Sequence, residues 1–112
     1  MSARSIRGKV AIAGVGESTY YKHGQSPDAE FVLALQAIVR AAEDAGINPQ
    51  DIDGFASYSN DRSDPSRIGA ALGIPDLRFS NMQFGGGGGG VAAAVANGAA
   101  AVANGYADCV VV

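Results

Sequence analysis

The chain has little with which to do side-chain chemistry. It holds one cysteine, Cys109, and one histidine, His23. A single cysteine excludes an intrachain disulfide and a cysteine-ligated metal, and a single histidine excludes a multi-histidine metal site within the chain. Charge is scarce too: charged residues make up 17% of the sequence, against about 25% in typical soluble domains. The lysines and arginines are scattered and form no basic stripe, which argues against a nucleic-acid partner. The longest apolar stretch, residues 91–103, is too short and too rich in alanine and glycine for a membrane span. The basic N-terminus, residues 1–9, lacks the apolar segment of a secretory signal. A reducing, cytoplasmic setting is therefore the expectation.

What the chain has instead is glycine. Six stand in a row, Gly85, Gly86, Gly87, Gly88, Gly89 and Gly90, between a strand-like stretch ending at Phe84 and an alanine-rich helical stretch. Glycine loses more backbone entropy on folding than any other residue, so such a run is costly unless something approaches the backbone closely. A helix start also presents free N–H groups to negative charge. Phe84 and the six glycines are thus the candidate substrate-binding residues, with N–H groups facing a thioester or other acyl oxygen. No catalytic residue and no metal ligand is assigned. The bland alternative is a close-packed turn without a ligand.

The order of elements reads βαβαβαβ. Residues 9–15 form an apolar, β-branched run closed by Gly14 and Gly16, expected as strand one. Ser26-Pro27-Asp28 signals a helix start, Phe31, Leu35, Ile38, Ala42 and Ala45 recur at helical spacing, and Gly46 stops the helix. Asn48-Pro49 caps a single turn before strand two, residues 52–58. Asp64-Pro65 starts a second helix that Gly73 and Pro75 end. Strand three runs from Leu77 to Met82, a third helix follows the glycines to about Asn104, and residues 107–112 form strand four. Continuous apolar strands predict a mostly parallel sheet covered by helices, an α/β layered fold. The alanines of the third helix imply burial on nearly all sides.

Other motifs fall short of chemistry. Gly14-Val15-Gly16 lacks the third glycine of a dinucleotide fingerprint, since position 19 is Thr19, and reads as a tight turn. No Lys-Ser/Thr pair follows Gly90, so the glycine run is not a phosphate loop. Cys109 lies in strand four and reads as a small hydrophobe, His23 as a solvated loop residue. Asp61, Arg62, Asp64 and Arg67 read as a solvated helix start. The sequence stops at Val110-Val111-Val112, inside an expected buried strand, so residues 1–112 are expected to be the N-terminal part of a longer domain.

Four segments together resemble the N-terminal domain of the thiolase superfamily, in its sterol-carrier or lipid-transfer-protein branch. They are KVAIAGVGES (residues 9–18), AAEDAGI (41–47), NPQDIDG (48–54) and NGYADCVVV (104–112). The resemblance implies a layered thiolase-like fold and a coenzyme A thioester as substrate, with no other cofactor. It also implies a homodimer paired through the strand Leu77–Met82. The family's nucleophilic cysteine would fall at or near Gly88, where no thiol or hydroxyl exists, so an acyl-enzyme at that position is excluded by chemistry. Two classes survive. One is a cysteine-independent carbon–carbon lyase of retro-aldol type, or an acyltransferase relative, acting on lipid or steroid CoA thioesters with a small OB-type partner. The other is a non-catalytic acyl-CoA or lipid-binding homologue.

Overall fold

A computed structural model describes residues 5–59, 61–85 and 87–112. Its first helix, α1 (Glu30–Ala45), turns Ile38 and Ala42 inward, with Phe31 and Leu35 packed beside them. It begins later than Ser26 because the Ser26 hydroxyl closes a local turn, accepting from Asp28 N at 3.1 Å and donating to Asp28 O at 2.8 Å. Gly46 ends it with φ 73°, a conformation that a side chain disfavours. Asn48 then caps a short 3₁₀ turn, Pro49–Asp51, by accepting from Gln50 N at 2.9 Å.

Strand β1 (Gly54–Tyr58) is central in a three-stranded sheet of order β2-β1-β3. It pairs in parallel with β2 (Phe79–Gln83) and with β3 (Val110–Val111). Helix α2 (Pro65–Leu72) connects the first pair, started by Asp64, which accepts from Ser66 N, and stopped by Gly73 at φ 72°. Helix α3 (Gly90–Ala103) connects β2 to β3. Parallel strands require such crossovers.

The two faces of the sheet bury different things. On one, Phe55 joins Ile38, Ile52 and Ile68 in a core that α1 and α2 supply, with Leu35, Leu72 and Val111 against it. Arg67 of α2 stacks 4.1 Å from the Phe31 ring of α1 and ties the two helices. On the other, α3 lies close to the sheet through Ala94, Gly98 and Ala101. A Cβ at Gly98 would meet Val112 Cγ2 at 3.1 Å and Val110 Cγ1 at 3.2 Å, so glycine sets that approach.

Three expectations are corrected. The segment 9–15 is not a strand: it pairs with no strand among the described residues, and the order is α-β-α-β-α-β rather than βαβαβαβ. It lies instead across α1, where Val15 N donates to Asp44 Oδ2 at 2.9 Å and Arg40 donates to Glu17 O at 2.7 Å. Gly14 permits the contact, since a Cβ there would stand 2.8 Å from Ala45 N. Ile12 and Val15 consequently face solvent. Second, α3 is not enclosed on nearly all sides, because Val91 and Val95 are exposed. Third, Arg67 is not merely part of a solvated charge cluster, as its place on Phe31 shows.

The strand starts are knotted by Asp53. Its carboxylate accepts from Asp108 N at 3.0 Å and from Cys109 N at 2.9 Å, and Arg78 lies 3.7 Å away. Its carbonyl accepts from Arg78 N at 2.8 Å, and its own N–H donates to Cys109 O at 3.0 Å. Replacing Asp53 by alanine leaves those N–H donors without their acceptor. The expected loss is about 2–4 kcal/mol of stability, read as a lower midpoint in denaturant titration.

A candidate ligand-binding turn at the end of the sheet

The glycine run sits where β2 ends and α3 begins. Gln83 closes β2, Phe84 projects into solvent at 85% exposure, and Gly85 turns the chain with φ 73°. A 3₁₀ turn, Gly87–Gly89, then feeds α3. Both parallel partners, β1 and β2, end at this side, the carboxyl edge at which open α/β sheets place their ligands.

The glycines are not equivalent. Gly85 and Gly87, at φ 73° and 50°, adopt a backbone that side chains disfavour. Gly90 is required by packing, since a Cβ there would stand 2.6 Å from Tyr58 Cδ2 and 3.1 Å from Gly85 O. Gly88 and Gly89 answer to neither demand. No left-handed φ is found at either, and a Cβ built on them meets nothing within 4 Å. Alanine would be the better residue at a helix start on propensity alone. Gly86 lies outside the described residues. The expected turn is therefore present, with the bare backbone of Gly88 and Gly89 facing open space at the start of α3.

Other candidates lie elsewhere. His23 is exposed in a loop with Tyr20, Tyr21 and Lys22, over an open cleft of about 400 Å³ floored by Leu33. Its neighbour Tyr20 has its phenol pushed up by the hydrogen bond to Glu17, with the Glu17 charge adding to it. A second open cleft, about 300 Å³, is lined by Ser57, Arg62, Ser80 and Met82 on the α2 face of the sheet. Asp61 and Asp64 beside it cap turns, accepting from Ser63 N and Ser66 N at 2.9 Å each. No group of three or more metal-ligating side chains is found among the described residues. None of the described helices is long and apolar enough to cross a membrane.

Cys109 stands at the foot of the sheet, next to the Asp53 knot and away from the glycine turn. Burial pushes its thiol up, and the charges of Asp53, Asp51 and Asp108 push it further. A raised thiol is less ionised at any given pH, hence a poorer nucleophile. Alkylation by iodoacetamide at pH 8, followed by mass spectrometry, is expected to modify Cys109 more slowly than free cysteine. The rate should rise toward a higher pH midpoint.

Two residues escape the sequence reading: Tyr58 and Asp53 stand in the expected strand two, residues 52–58, with no further role assigned to either. Each acts through contacts with segments far along the chain, which no local pattern reports.

No protein-family model matches the chain. Over 107 residues it is 37% identical to the 17-hydroxy-3-oxo-4-pregnene-20-carboxyl-CoA lyase of Mycobacterium tuberculosis, a match covering 95% of this chain and 27% of that protein. It is 38% identical, also over 107 residues, to the steroid side-chain-cleaving aldolase of Thermomonospora curvata, covering 95% of this chain and 26% of that one. A solved structure, the Ltp2-ChsH2(DUF35) aldolase, superposes with a TM-score of 0.78 at 37% identity, over 87% of this chain and 25% of its own. The chain thus spans about a quarter of the length of these relatives.

These matches correct the resemblance to the thiolase superfamily. The proteins that align with nearly the whole chain carry the names of a pregnene-carboxyl-CoA lyase, a steroid side-chain-cleaving aldolase and an Ltp2-ChsH2(DUF35) aldolase. The segments behind the resemblance are an apolar run, a helix stop and a proline cap, which recur wherever such local structure is built. The first of them does not even join the sheet.

Proposed function

We propose that this chain supplies the ligand-contacting turn of a carbon–carbon lyase that cleaves a β-hydroxyacyl-CoA thioester by a retro-aldol reaction. The observation that carries the reading is the bareness of Gly88 and Gly89, which neither backbone conformation nor internal packing explains. Something outside the chain must come within van der Waals distance of that backbone. The names of the relatives supply its chemistry: a bulky, branched steroid-type acyl group joined to coenzyme A.

In such a reaction the β-hydroxyl loses its proton and its oxygen becomes a ketone as the bond between the α and β carbons breaks. The electron pair moves onto the thioester as an enolate, which is then protonated at the α carbon. N–H groups aimed at the thioester oxygen stabilise the charge that develops there. The glycine turn provides such donors, and Phe84 an apolar surface beside them. It provides no base and no nucleophile, so the hydroxyl proton passes to a group outside the turn.

The reading is tested on the full chain together with a DUF35 partner of the kind that the solved Ltp2-ChsH2(DUF35) structure names. Cleavage of a CoA thioester bearing a tertiary β-alcohol is the expected result. Tight binding without any cleavage would favour the second class, a lipid-binding homologue, and sink the lyase. Gly89→Ala should leave the melting temperature unchanged, because a Cβ there meets nothing within 4 Å. It should lower kcat/KM by about tenfold or more if the substrate lies on that backbone.

We further propose that two copies pair through β2. This strand is the edge of the sheet and carries no lysine, proline or bulge to protect it. Residues 79–107 include no charged side chain at all, and Met82, Val91 and Val95 are exposed within them. An uncharged edge can face its own copy without like-charge repulsion, antiparallel across a two-fold axis. Sedimentation should show a dimer, and Val95→Glu should convert it to a monomer of unchanged secondary structure. A wild-type monomer would contradict the pairing.

A further inference from the structure

Tyr58 has a placement that packing alone does not account for. It closes β1 at the ligand-bearing edge of the sheet, opposite Gln83 in register and so two residues from Gly85. Ser59 follows with φ 62°, its N–H donating to Gln83 O at 2.7 Å, so the chain leaves the strand abruptly and the tyrosine stands at the rim. The ring lies against Gly90, the buried first residue of α3, with Cδ2 where a Cβ would be crowded at 2.6 Å. Tyr58 nevertheless remains 39% exposed. Were filling this space the only purpose, alanine at 90 and a smaller residue at 58 would do it with better helix propensity. The tyrosine adds a rigid ring with a polar tip beside the bare backbone of Gly88 and Gly89.

We infer that Tyr58 is a positioning residue for the acyl thioester, an inference that rests on the reading of the glycine turn given above. Its ring fixes Gly90, and through it the direction of the N–H groups in the first turn of α3. Its exposed part forms one wall of the surface on which the acyl group lies. The ring acts by shape, so phenylalanine serves in its place and leucine does not. Gly90→Ala drives the ring from its position and has the same consequence.

The test titrates the full chain with a non-cleavable acyl-CoA thioester analogue that lacks the β-hydroxyl and follows steady-state cleavage of the β-hydroxyacyl-CoA in parallel. Tyr58→Leu should weaken analogue binding and raise KM about tenfold, with kcat changed by less than about threefold. Tyr58→Phe should bind within about twofold of wild type, and Gly90→Ala should reproduce the leucine defect. A purely structural role would lower the melting temperature and the active fraction while leaving KM and the analogue affinity of the folded fraction unchanged, which overturns the inference. Should Tyr58→Leu fail to fold, Gly90→Ala decides alone. Wild-type binding that neither variant alters overturns the inference and spares the glycine-turn reading. Absence of wild-type binding overturns both.

Discussion

The sheet depends on one carboxylate. Asp53 precedes the central strand, and its side chain and backbone together reach the starts of both neighbouring strands. With its side chain only 13% exposed, it accepts from two backbone N–H groups at the entry to β3, while Arg78 at the entry to β2 lies across it. Hydrogen bonds to a charged acceptor are stronger than neutral ones, and they matter most where water is partly excluded. Parallel pairing is slow and non-local, and β3 is a short strand that has little ladder of its own. Fixing all three strands at one end sets the register, and the register decides what meets at the other end.

At that other end the chain gives up side chains. Gly85 and Gly87 make the turn possible, and Gly90 makes room for Tyr58. The two glycines between have no internal reason to be glycine. Such local departures from what folding favours are where a ligand's demands show, because stability alone would have filled them. The chemistry available there is correspondingly narrow. Backbone N–H groups can hold an oxyanion, but a glycine cannot form an acyl-enzyme, so bond cleavage through an enolate fits the turn better than acyl transfer through it.

Much of the fold was legible because its signals are local. Asn48 and Asp64 each cap the helical turn they precede, whereas Ser26 closes a turn short of α1, and Gly46 and Gly73 adopt the left-handed geometry that stops a helix. Three of the four expected strands lie within two or three residues of their observed bounds. What was not legible depends on partners distant in sequence. Residues 9–15 have the composition of a strand, yet the side chains of Asp44 and Arg40 on α1 take up backbone groups at Val15 and Glu17. The same limit explains the misplaced family: capping and strand motifs report local geometry, and only alignment over most of the chain reports descent. The glycine turn is visible in the sequence as a candidate site, but the division of its residues by cause required the Tyr58 ring.

Helix α3 carries the remaining argument. An ordinary surface helix has one apolar stripe and one charged face. Apart from Asn97 this one is alanine, valine and glycine throughout, and the sheet covers the side of Ala94, Gly98 and Ala101. The absence of charge extends back through the glycine turn and β2, across elements that share one side of the molecule with an open strand edge. Asn97 Nδ2 donates to Asn81 Oδ1 there at 2.8 Å, a neutral pair that leaves no charge to be desolvated. Burying a charge is expensive, whereas burying alanine and valine is favourable and burying a hydrogen-bonded amide pair costs far less than a charge. The composition of this side is therefore that of a surface meant to be covered, with the glycine turn at its margin. A ligand that reaches the bare backbone would then lie against protein on more than one side, in the water-poor surroundings that make backbone N–H groups effective.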